Sequence, residues 1–209
     1  MLKIGVMPSS FRIPFKDAAL RARDMGAKGL QPYVTEGELA PENLTADDRR
    51  GLLRFVRDCG LTFSALCADF GMDFSDYGNN AADIKRTMSM MDLARDLDTH
   101  VITTHIGHVP DDPESTEYKN ICRSIEELGK YGDSIGVCFA TETGPESAVK
   151  LRGILERVDT KSAKVNLDPA NFVMLCGQDP VEAVHVLKDY IVHTHAKDGI
   201  KTGETTYQE

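Results

Sequence analysis

Short apolar runs alternate along the chain with longer segments in which apolar residues recur at helical spacing. The short runs are rich in Val, Ile, Thr and Phe, whose branched or aromatic side chains fit the pleated surface of a β-sheet. They predict seven strands, at residues 3–7, 30–34, 62–68, 100–105, 137–141, 164–167 and 190–195. The segments between them predict six helices, so strands and helices alternate from one end of the chain to the other.

The helical segments carry apolar faces that predict packing against a sheet. The two clearest faces consist of Ile84, Met88, Met91 and Ala94 and of Ala148, Leu151, Leu155 and Val158. Residues at these spacings lie on one side of a helix, so the methionines are interpreted as core residues rather than as part of a cofactor site. Gly26, Gly60 and Gly132 stand where three of the helices are expected to end.

Alternating strands and helices favour a parallel sheet with right-handed crossovers, either an open doubly wound sheet or a barrel. A doubly wound dinucleotide-binding protein carries G-x-G-x-x-G after its first strand, whereas residues 7–12 read M-P-S-S-F-R. The sequence therefore predicts an α/β fold of the (β/α)8 TIM barrel type, formed by a single domain over residues 1–209. The eighth strand is missing from the predicted set, and the polar residues 203–209 look like the middle of a loop. We therefore expect a barrel that is incomplete at its C-terminal end.

The composition narrows the class of protein without identifying it. The 209 residues carry a net charge of −9, and 41% of them are hydrophobic and 27% charged, as in a soluble globular enzyme. A net acidic chain without a run of Lys and Arg argues against a nucleic-acid-binding protein. No stretch approaches the roughly 18 apolar residues of a membrane span, and the start lacks the pattern of a signal peptide. The expected location is the cytoplasm, with five reduced cysteines that form no C-x-x-C pair.

Potential metal ligands follow three successive predicted strands. Glu142 directly follows the fifth strand, Asp168 directly follows the sixth and His195 ends the seventh, so that about one βα unit separates each from the next. In TIM barrels such positions share the C-terminal mouth, where the chemistry takes place. A Glu, an Asp and a His without thiols suit one divalent ion, Mn²⁺, Mg²⁺, Co²⁺ or Zn²⁺. Taken alone, Asp168 before Pro169 is also explained by an Asx turn.

Three motifs together resemble a known family. The sequence reads E-T-G at 142–144, D-P-A-N at 168–171 and H-T-H-A-K-D at 193–198. These motifs are similar to those of the sugar phosphate isomerase/epimerase family, the xylose isomerase-like barrels. The resemblance implies one divalent ion held by Glu142, Asp168, His195 and a second Glu on the eighth strand. That fourth ligand is unmatched, because Glu204 follows the seventh strand without an intervening helix.

The resemblance also implies a reaction, the isomerisation or epimerisation of a sugar or sugar phosphate. Such a reaction removes a proton from a carbon next to a carbonyl, and a metal bound to both adjacent oxygens stabilises the enediolate that forms. A carboxylate at the edge of the metal carries the proton. Glu142 is the candidate for both metal ligand and proton-transfer group. Epimerisation needs a second acid/base on the opposite face, which the unmatched Glu would supply.

Other residues at the strand ends are candidates for contact with substrate. They are His105, His193, Asn171 and Lys197. A structural role remains open for His105 and His193, and Lys197 has the alternative of pairing with Asp198. Glu146 could reach substrate from its loop, but it is interpreted as a first-turn helix carboxylate that complements the helix dipole. Arg12 is a weak phosphate candidate. The expected partner is a small sugar or sugar phosphate, and a homo-oligomer remains possible.

The same residues allow three rival functions to be compared. A DNA-repair endonuclease with three zinc ions is disfavoured, because Asn171 stands where that family has a histidine, residues 31–33 read Q-P-Y without one, and the chain is acidic. An inosose dehydratase-like lyase remains open, since it uses the same metal centre and a similar intermediate. A non-catalytic sugar- or metal-binding barrel that lacks the fourth ligand also remains open.

Overall fold

The computed structural model describes residues 2–201. Within them the chain forms short parallel strands, which are numbered here in chain order. They are β1 (Gly5–Val6), β2 (Gly29–Leu30), β3 (Thr62–Phe63), β4 (Leu66–Cys67), β5 (Val101–Thr104), β6 (Cys138–Glu142), β7 (Ala163–Leu167) and β8 (Ile191–Thr194). Each of the seven predicted runs overlaps at least one of these strands, with ends that differ by a few residues, so the predicted strand positions are confirmed.

Helices cover the outer side of the strands. They are α1 (Phe15–Asp24), α2 (Ala46–Asp58), α3 (Ala81–Asp96), α4 (Thr116–Ile135), α5 (Ala148–Leu155), a single turn α6 (Pro169–Asn171) and α7 (Pro180–Leu187). Short 3-10 segments occur at Pro8–Phe11, Gly37–Leu39 and Pro41–Asn43, and a π-helix follows α6 at Phe172–Cys176. None of the helices in residues 2–201 is long and apolar enough to cross a membrane.

The strands form one curled wall in the order of the chain. β1, β2 and β3 pair in sequence, and β4 to β8 do the same, with every pairing parallel. The two sheets are joined by a bridge between Tyr33 and Cys67. The single strand predicted at 62–68 is therefore divided into β3, which pairs with β2, and β4, which pairs with β5. The break at residues 64–65 lets the chain pair with β2 before it and with β5 after it, where the wall curves.

Among the described residues, the strands form the wall of a TIM barrel with one gap in its strand pairing, as the sequence predicts. β1 and β8 are the two ends of the strand order, and no pairing joins them within residues 2–201. β6 and β7 lie in the middle of the larger sheet and are almost wholly buried, whereas β8 alternates between partly buried and exposed positions.

Capping side chains fix where several helices begin. The side chain of Ser115 accepts a hydrogen bond from Tyr118 N at the start of α4, and Ser147 accepts one from Lys150 N at the start of α5. Asp179 does the same for α7 through Val181 N. These side chains satisfy backbone N–H groups that have no partner inside the helix. They set the lengths of the loops that connect the strand ends to the helices.

The helix ends predicted at glycines are confirmed in two cases and wrong in the third. Gly26 and Gly60 follow α1 and α2 with positive φ. Gly132 instead lies inside α4, which ends at Gly136 with φ 75°. A Cβ atom at Gly132 would lie 2.3 Å from the carbonyl oxygen of Val137. The glycine therefore serves close packing of α4 against the start of β6 rather than helix termination.

Candidate metal centre

Glu142, Asp168 and His195 meet at the carboxyl ends of three neighbouring strands. Glu142 is the last residue of β6, and Asp168 and His195 directly follow β7 and β8. Each offers one ligand atom, and these atoms all lie within 4.8 Å of one another. His195 Nδ1 lies 3.3 Å from Glu142 Oε1 and 3.5 Å from Asp168 Oδ2. Parallel register brings the strand ends to one edge, so the structure places the three predicted ligands together.

The donor set and its burial fit a divalent cation. Glu142 is 7% exposed and Asp168 is 0% exposed. Asp168 Oδ1 accepts a hydrogen bond from Asn171 N at 3.1 Å, whereas Oδ2 is buried without a hydrogen-bond partner among the described residues. Burying two carboxylates together is costly unless a positive charge compensates them. The unsatisfied oxygen faces the other two ligands, which is where a cation would be held.

His195 is oriented by a residue from the opposite part of the chain. Its Nε2 lies 2.9 Å from Gln31 Oε1, and Gln31 Nε2 donates to Thr103 Oγ1 at 2.9 Å. An Nε2–H that donates to Gln31 leaves Nδ1 facing the two carboxylates. Burial alone would lower the pKa of His195, but the carboxylates of Asp168 and Glu142 outweigh it and raise the pKa to about 9. Without a cation, the protonated imidazole itself supplies the positive charge.

Two asparagine amides hold the carboxylate of Glu142. Asn166 Nδ2 donates to Glu142 Oε2 at 3.3 Å, and Asn171 Nδ2 donates to Oε1 at 3.4 Å. Asn171 also donates to the carbonyl oxygen of Thr143 at 2.7 Å and is 0% exposed. Asn171 thus lies behind the carboxylates, and its contact with substrate stays a prediction. Asn166 was not predicted as a site residue, although a buried amide between Val165 and Leu167 in β7 is a visible signal.

His105 lies beside Glu142 and is paired with a second acid. Its Nδ1 lies 2.7 Å from Asp69 Oδ2, and its Nε2 lies 3.6 Å from Glu142 Oε1. Burial would lower the pKa of His105, but the hydrogen bond with Asp69 and the nearby acidic charges raise it. Asp69 was missed by the sequence reasoning. It directly follows the predicted strand at 62–68 and lies two residues after β4. Examining that strand end like the others would have found it.

His193 and Lys197 each contact one of the two asparagines, His193 with Asn166 and Lys197 with Asn171. His193 Nδ1 lies 2.8 Å from Asn166 Oδ1 inside the barrel, and burial lowers the pKa of His193 to about 4, so the ring is neutral at neutral pH. Lys197 Nζ donates to Asn171 Oδ1 at 3.1 Å and lies 3.4 Å from Asp168 Oδ2. The ammonium group therefore lies next to Asp168, one of the three candidate metal ligands. Contact of either side chain with substrate stays a prediction.

Glu146 is not the first-turn helix carboxylate that the sequence suggested. It precedes Ser147, the N-cap of α5, and its side chain turns back to accept a hydrogen bond from Gly144 N at 3.2 Å. The residue is only 4% exposed, and burial raises the pKa of its carboxyl to about 7. The interpretation was wrong because the loop after β6 folds inward before the helix begins. Glu204, considered for the fourth ligand, lies outside the described residues.

The chain is similar to proteins with the same barrel. A family model described as "Xylose isomerase-like TIM barrel" matches residues 19–206. The solved structure of a xylose isomerase domain protein from Planctomyces limnophilus has a TM-score of 0.80 at 21% identity, over 94% of this chain and 74% of that one. No curated protein sequence matches significantly.

Two further solved structures are of proteins named for a reaction. D-psicose 3-epimerase from Clostridium cellulolyticum H10, solved with D-tagatose, has a TM-score of 0.76 at 16% identity, over 93% of this chain and 72% of that one. The probable 3-DHS dehydratase AsbF from Bacillus anthracis has a TM-score of 0.75 at 21% identity, with the same coverage, 93% and 72%. At these identities the likeness shows the fold.

Proposed function

Because the chain belongs to the xylose isomerase-like TIM barrel family, we propose that it is a divalent-metal-dependent isomerase or epimerase of a sugar or sugar phosphate. The observation that carries the proposal is the buried Oδ2 of Asp168, which accepts no hydrogen bond from the described residues and faces His195 within the Glu142–Asp168–His195 cluster at the barrel mouth. The reaction class is inferred from family members of known reaction, and the requirement for a metal is inferred from the three potential ligands.

Glu142, Asp168 and His195 would hold the ion, which is Mn²⁺, Zn²⁺, Mg²⁺ or Co²⁺. Two carboxylate oxygens and an imidazole nitrogen suit any of these metals. When bound, a divalent ion supplies Lewis-acid stabilisation of the negative charge that develops on adjacent substrate oxygens. Gln31 fixes the ring of His195 from behind, which is the usual role of a hydrogen-bond partner beyond the ligands.

Glu142 is the proposed proton-transfer group. Its carboxylate is held by the amides of Asn166 and Asn171 and stands 3.6 Å from Nε2 of His105. A carboxylate fixed in this way accepts the proton from the carbon next to the substrate carbonyl and returns it to the neighbouring position. Asp69 orients the His105 ring toward Glu142. His105, His193, Asn171 and Lys197 are proposed to contact the substrate hydroxyls directly or through the groups they position.

A lyase that eliminates water is the second candidate. The similarity to the B. anthracis structure, titled as a probable dehydratase, is at 21% identity, slightly above that to the epimerase. Elimination begins with the same proton removal next to a carbonyl, so the same residues serve it. A barrel that binds a sugar or a metal without catalysis is the remaining alternative.

Proton exchange separates these functions. The Mn²⁺-loaded protein is incubated in D₂O with a panel of ketoses, aldoses and their phosphates, and NMR follows deuterium at the carbon next to the carbonyl. We expect incorporation that is lost by about a hundredfold or more in Glu142→Gln and kept in the surface variant Asp47→Asn. Formation of an unsaturated product identifies the lyase. Metal uptake without exchange for any member of the panel contradicts an isomerase or epimerase.

A further inference from the structure

A cavity of about 180 Å³ opens beside the carboxyl ends of β1 and β2. Its lining includes Ser9 after β1 and Pro32 and Tyr33 after β2. Gln31, which precedes Pro32, reaches His195 at 2.9 Å. Burial raises the pKa of Tyr33, and the charges of Glu142 and Asp69 contribute to the rise. Gln31 thus contacts the candidate metal centre, and the next two residues along the chain, Pro32 and Tyr33, line the cavity.

The polar part of the cavity lining is acidic. Glu36 and Glu38 contribute carboxylates, Ser9 contributes a hydroxyl, and none of the described residues that line the cavity is Lys, Arg or His. Apolar side chains such as Phe15 and Pro32 complete the walls. Carboxylates only accept hydrogen bonds, so they match the hydroxyl groups of a polyol and repel a phosphate.

The start of α1, which lies in this lining, already binds a carboxylate of the chain itself. The first N–H groups of a helix attract anions, and α1 begins at Phe15 in the cavity wall. The N–H of Phe15 donates to Glu38 Oε1 at 3.2 Å. A phosphate at this place would have to displace the carboxylate of Glu38 and would meet its charge.

Basic residues near these loops point elsewhere. The guanidinium of Arg86 donates to the carbonyl oxygen of Thr35 and lies 4.6 Å from the centre of the Phe70 ring. Lys16, on α1, has its Nζ 5.8 Å from the centre of the Phe55 ring. Arg12, the phosphate candidate of the sequence analysis, is exposed and is not part of the lining.

We propose that this cavity receives the end of the sugar remote from the metal centre, and that Glu36 and Glu38 select an uncharged, hydroxylated end over a phosphorylated one. The inference rests on the proposed function and narrows it to free sugars. A phosphate monoester carries close to two negative charges at neutral pH and has strong acceptor oxygens. Facing two carboxylates, it is both repelled and deprived of donors, whereas a hydroxyl donates to either carboxylate.

The test compares matched pairs of ligands on the full Mn²⁺-loaded chain. Calorimetry measures the dissociation constants of D-fructose and D-fructose 6-phosphate, and of D-tagatose and D-tagatose 6-phosphate. We expect the free sugars to bind about tenfold more tightly than their phosphates. Because the discrimination is electrostatic, it should shrink at about 1 M salt, where charges are screened over a few ångströms.

Variants assign the discrimination to the two carboxylates. In the double variant Glu36→Gln, Glu38→Gln the preference should fall to about a third or less of its original value, mainly because the phosphates bind more tightly. The amide oxygen at position 38 still accepts from Phe15 N, so the start of α1 is kept. Glu42→Gln is the matched control, an exposed acid of the neighbouring segment that does not line the cavity, and it should leave the ratio unchanged.

The outcomes separate this inference from the proposed function. Phosphates that bind as tightly as the free sugars, or a ratio unaffected by the double variant, would overturn the selection by Glu36 and Glu38 and leave the isomerase proposal standing. A metal-loaded chain that binds neither free nor phosphorylated sugars would overturn the proposed function, and the inference with it.

Discussion

The interior and the edge of the strand wall hold their ligands in different ways. β6 and β7 pair on both sides, and the carboxylates of Glu142 and Asp168 at their ends are almost fully buried. β8 pairs with β7 alone among the described strands, and the side chain of His195 is 16% exposed. The carboxylates are therefore positioned by the sheet, whereas the imidazole needs additional support.

That support comes from two directions. His195 N donates to the carbonyl oxygen of Leu167, which continues the pairing with β7 past the end of β8. Gln31, 164 positions earlier in the chain, holds the ring through Nε2. The interior strands therefore position the two carboxylates of the centre, and the contact with Gln31 across the mouth orients the imidazole of His195.

The largest expected effect comes from the interior side. In Asp168→Asn the remaining oxygen still accepts from Asn171 N, so the local turn is kept, but the charge opposite His195 is lost. We expect Mn²⁺ affinity to fall by about a thousandfold, as for the loss of one partner of a buried charged pair. Calorimetric titration measures the affinity, and circular dichroism checks the fold.

The matched control is Asp179→Asn, which changes the same residue type at the helix cap of α7. It should lower stability slightly and leave the metal affinity unchanged. Equal affinities in Asp168→Asn and the unaltered chain would remove Asp168 from the ligand set.

The loop after β6 should produce the next largest effect, on stability. The pKa of Glu146 is about 7 in the folded chain against an ordinary value of 4.5. A carboxyl with a raised pKa stabilises the fold while it is protonated, so this stabilisation is present below pH 4.5 and lost as the pH rises through about 7. Relative to Glu146→Gln, the metal-free protein should lose up to about 3 kcal/mol of unfolding free energy across that interval.

Urea unfolding at a series of pH values measures this difference. Glu182→Gln, at an exposed position in α7, should keep the pH dependence of the unaltered protein. A pH profile of Glu146→Gln parallel to that of the unaltered chain would show that burial does not shift this carboxyl.

The edge side should give the smallest of the three effects. Gln31→Leu removes the acceptor for Nε2 of His195 without touching a ligand. We expect Mn²⁺ affinity to fall by about tenfold or somewhat more, as for other residues that orient metal-bound histidines. Gln31→Glu keeps an acceptor and should retain most of the affinity. A loss as large as that of Asp168→Asn would mean that the orientation of His195 on the edge strand, and not the buried carboxylates, determines the Mn²⁺ affinity.

The sequence predicts what depends on local pattern. β-branched runs mark the strands, and positions at the carboxyl ends of these runs identify Glu142, Asp168 and His195, which the structure brings together. Gly132 was misplaced as a helix end because its close approach to Val137 becomes visible only once α4 lies on the sheet. The apparent strand at 62–68 is continuous in sequence but divided by the curve of the wall.

Contacts across the barrel could not be predicted in the same way. Gln31 meets His195 only because the wall curls back on itself, and the predicted second strand at 30–34 placed Gln31 inside the strand, whereas β2 ends at Leu30. Glu146 looks like a helix-start carboxylate, and its burial depends on how the loop after β6 folds toward Gly144. Asp69 was within reach of the strand-end rule, because it stands near the end of the third strand.

The most direct test of the metal centre is a calorimetric titration of Mn²⁺ at pH 7.5 in two buffers with different ionisation enthalpies. Since the pKa of His195 is about 9 without metal, its proton must leave when Nδ1 binds the ion. We expect one ion per chain, release of about one proton, and an affinity that increases as the pH rises toward 9. An absence of Mn²⁺ uptake, or uptake without proton release that persists in Asp168→Asn, would contradict the proposed metal centre.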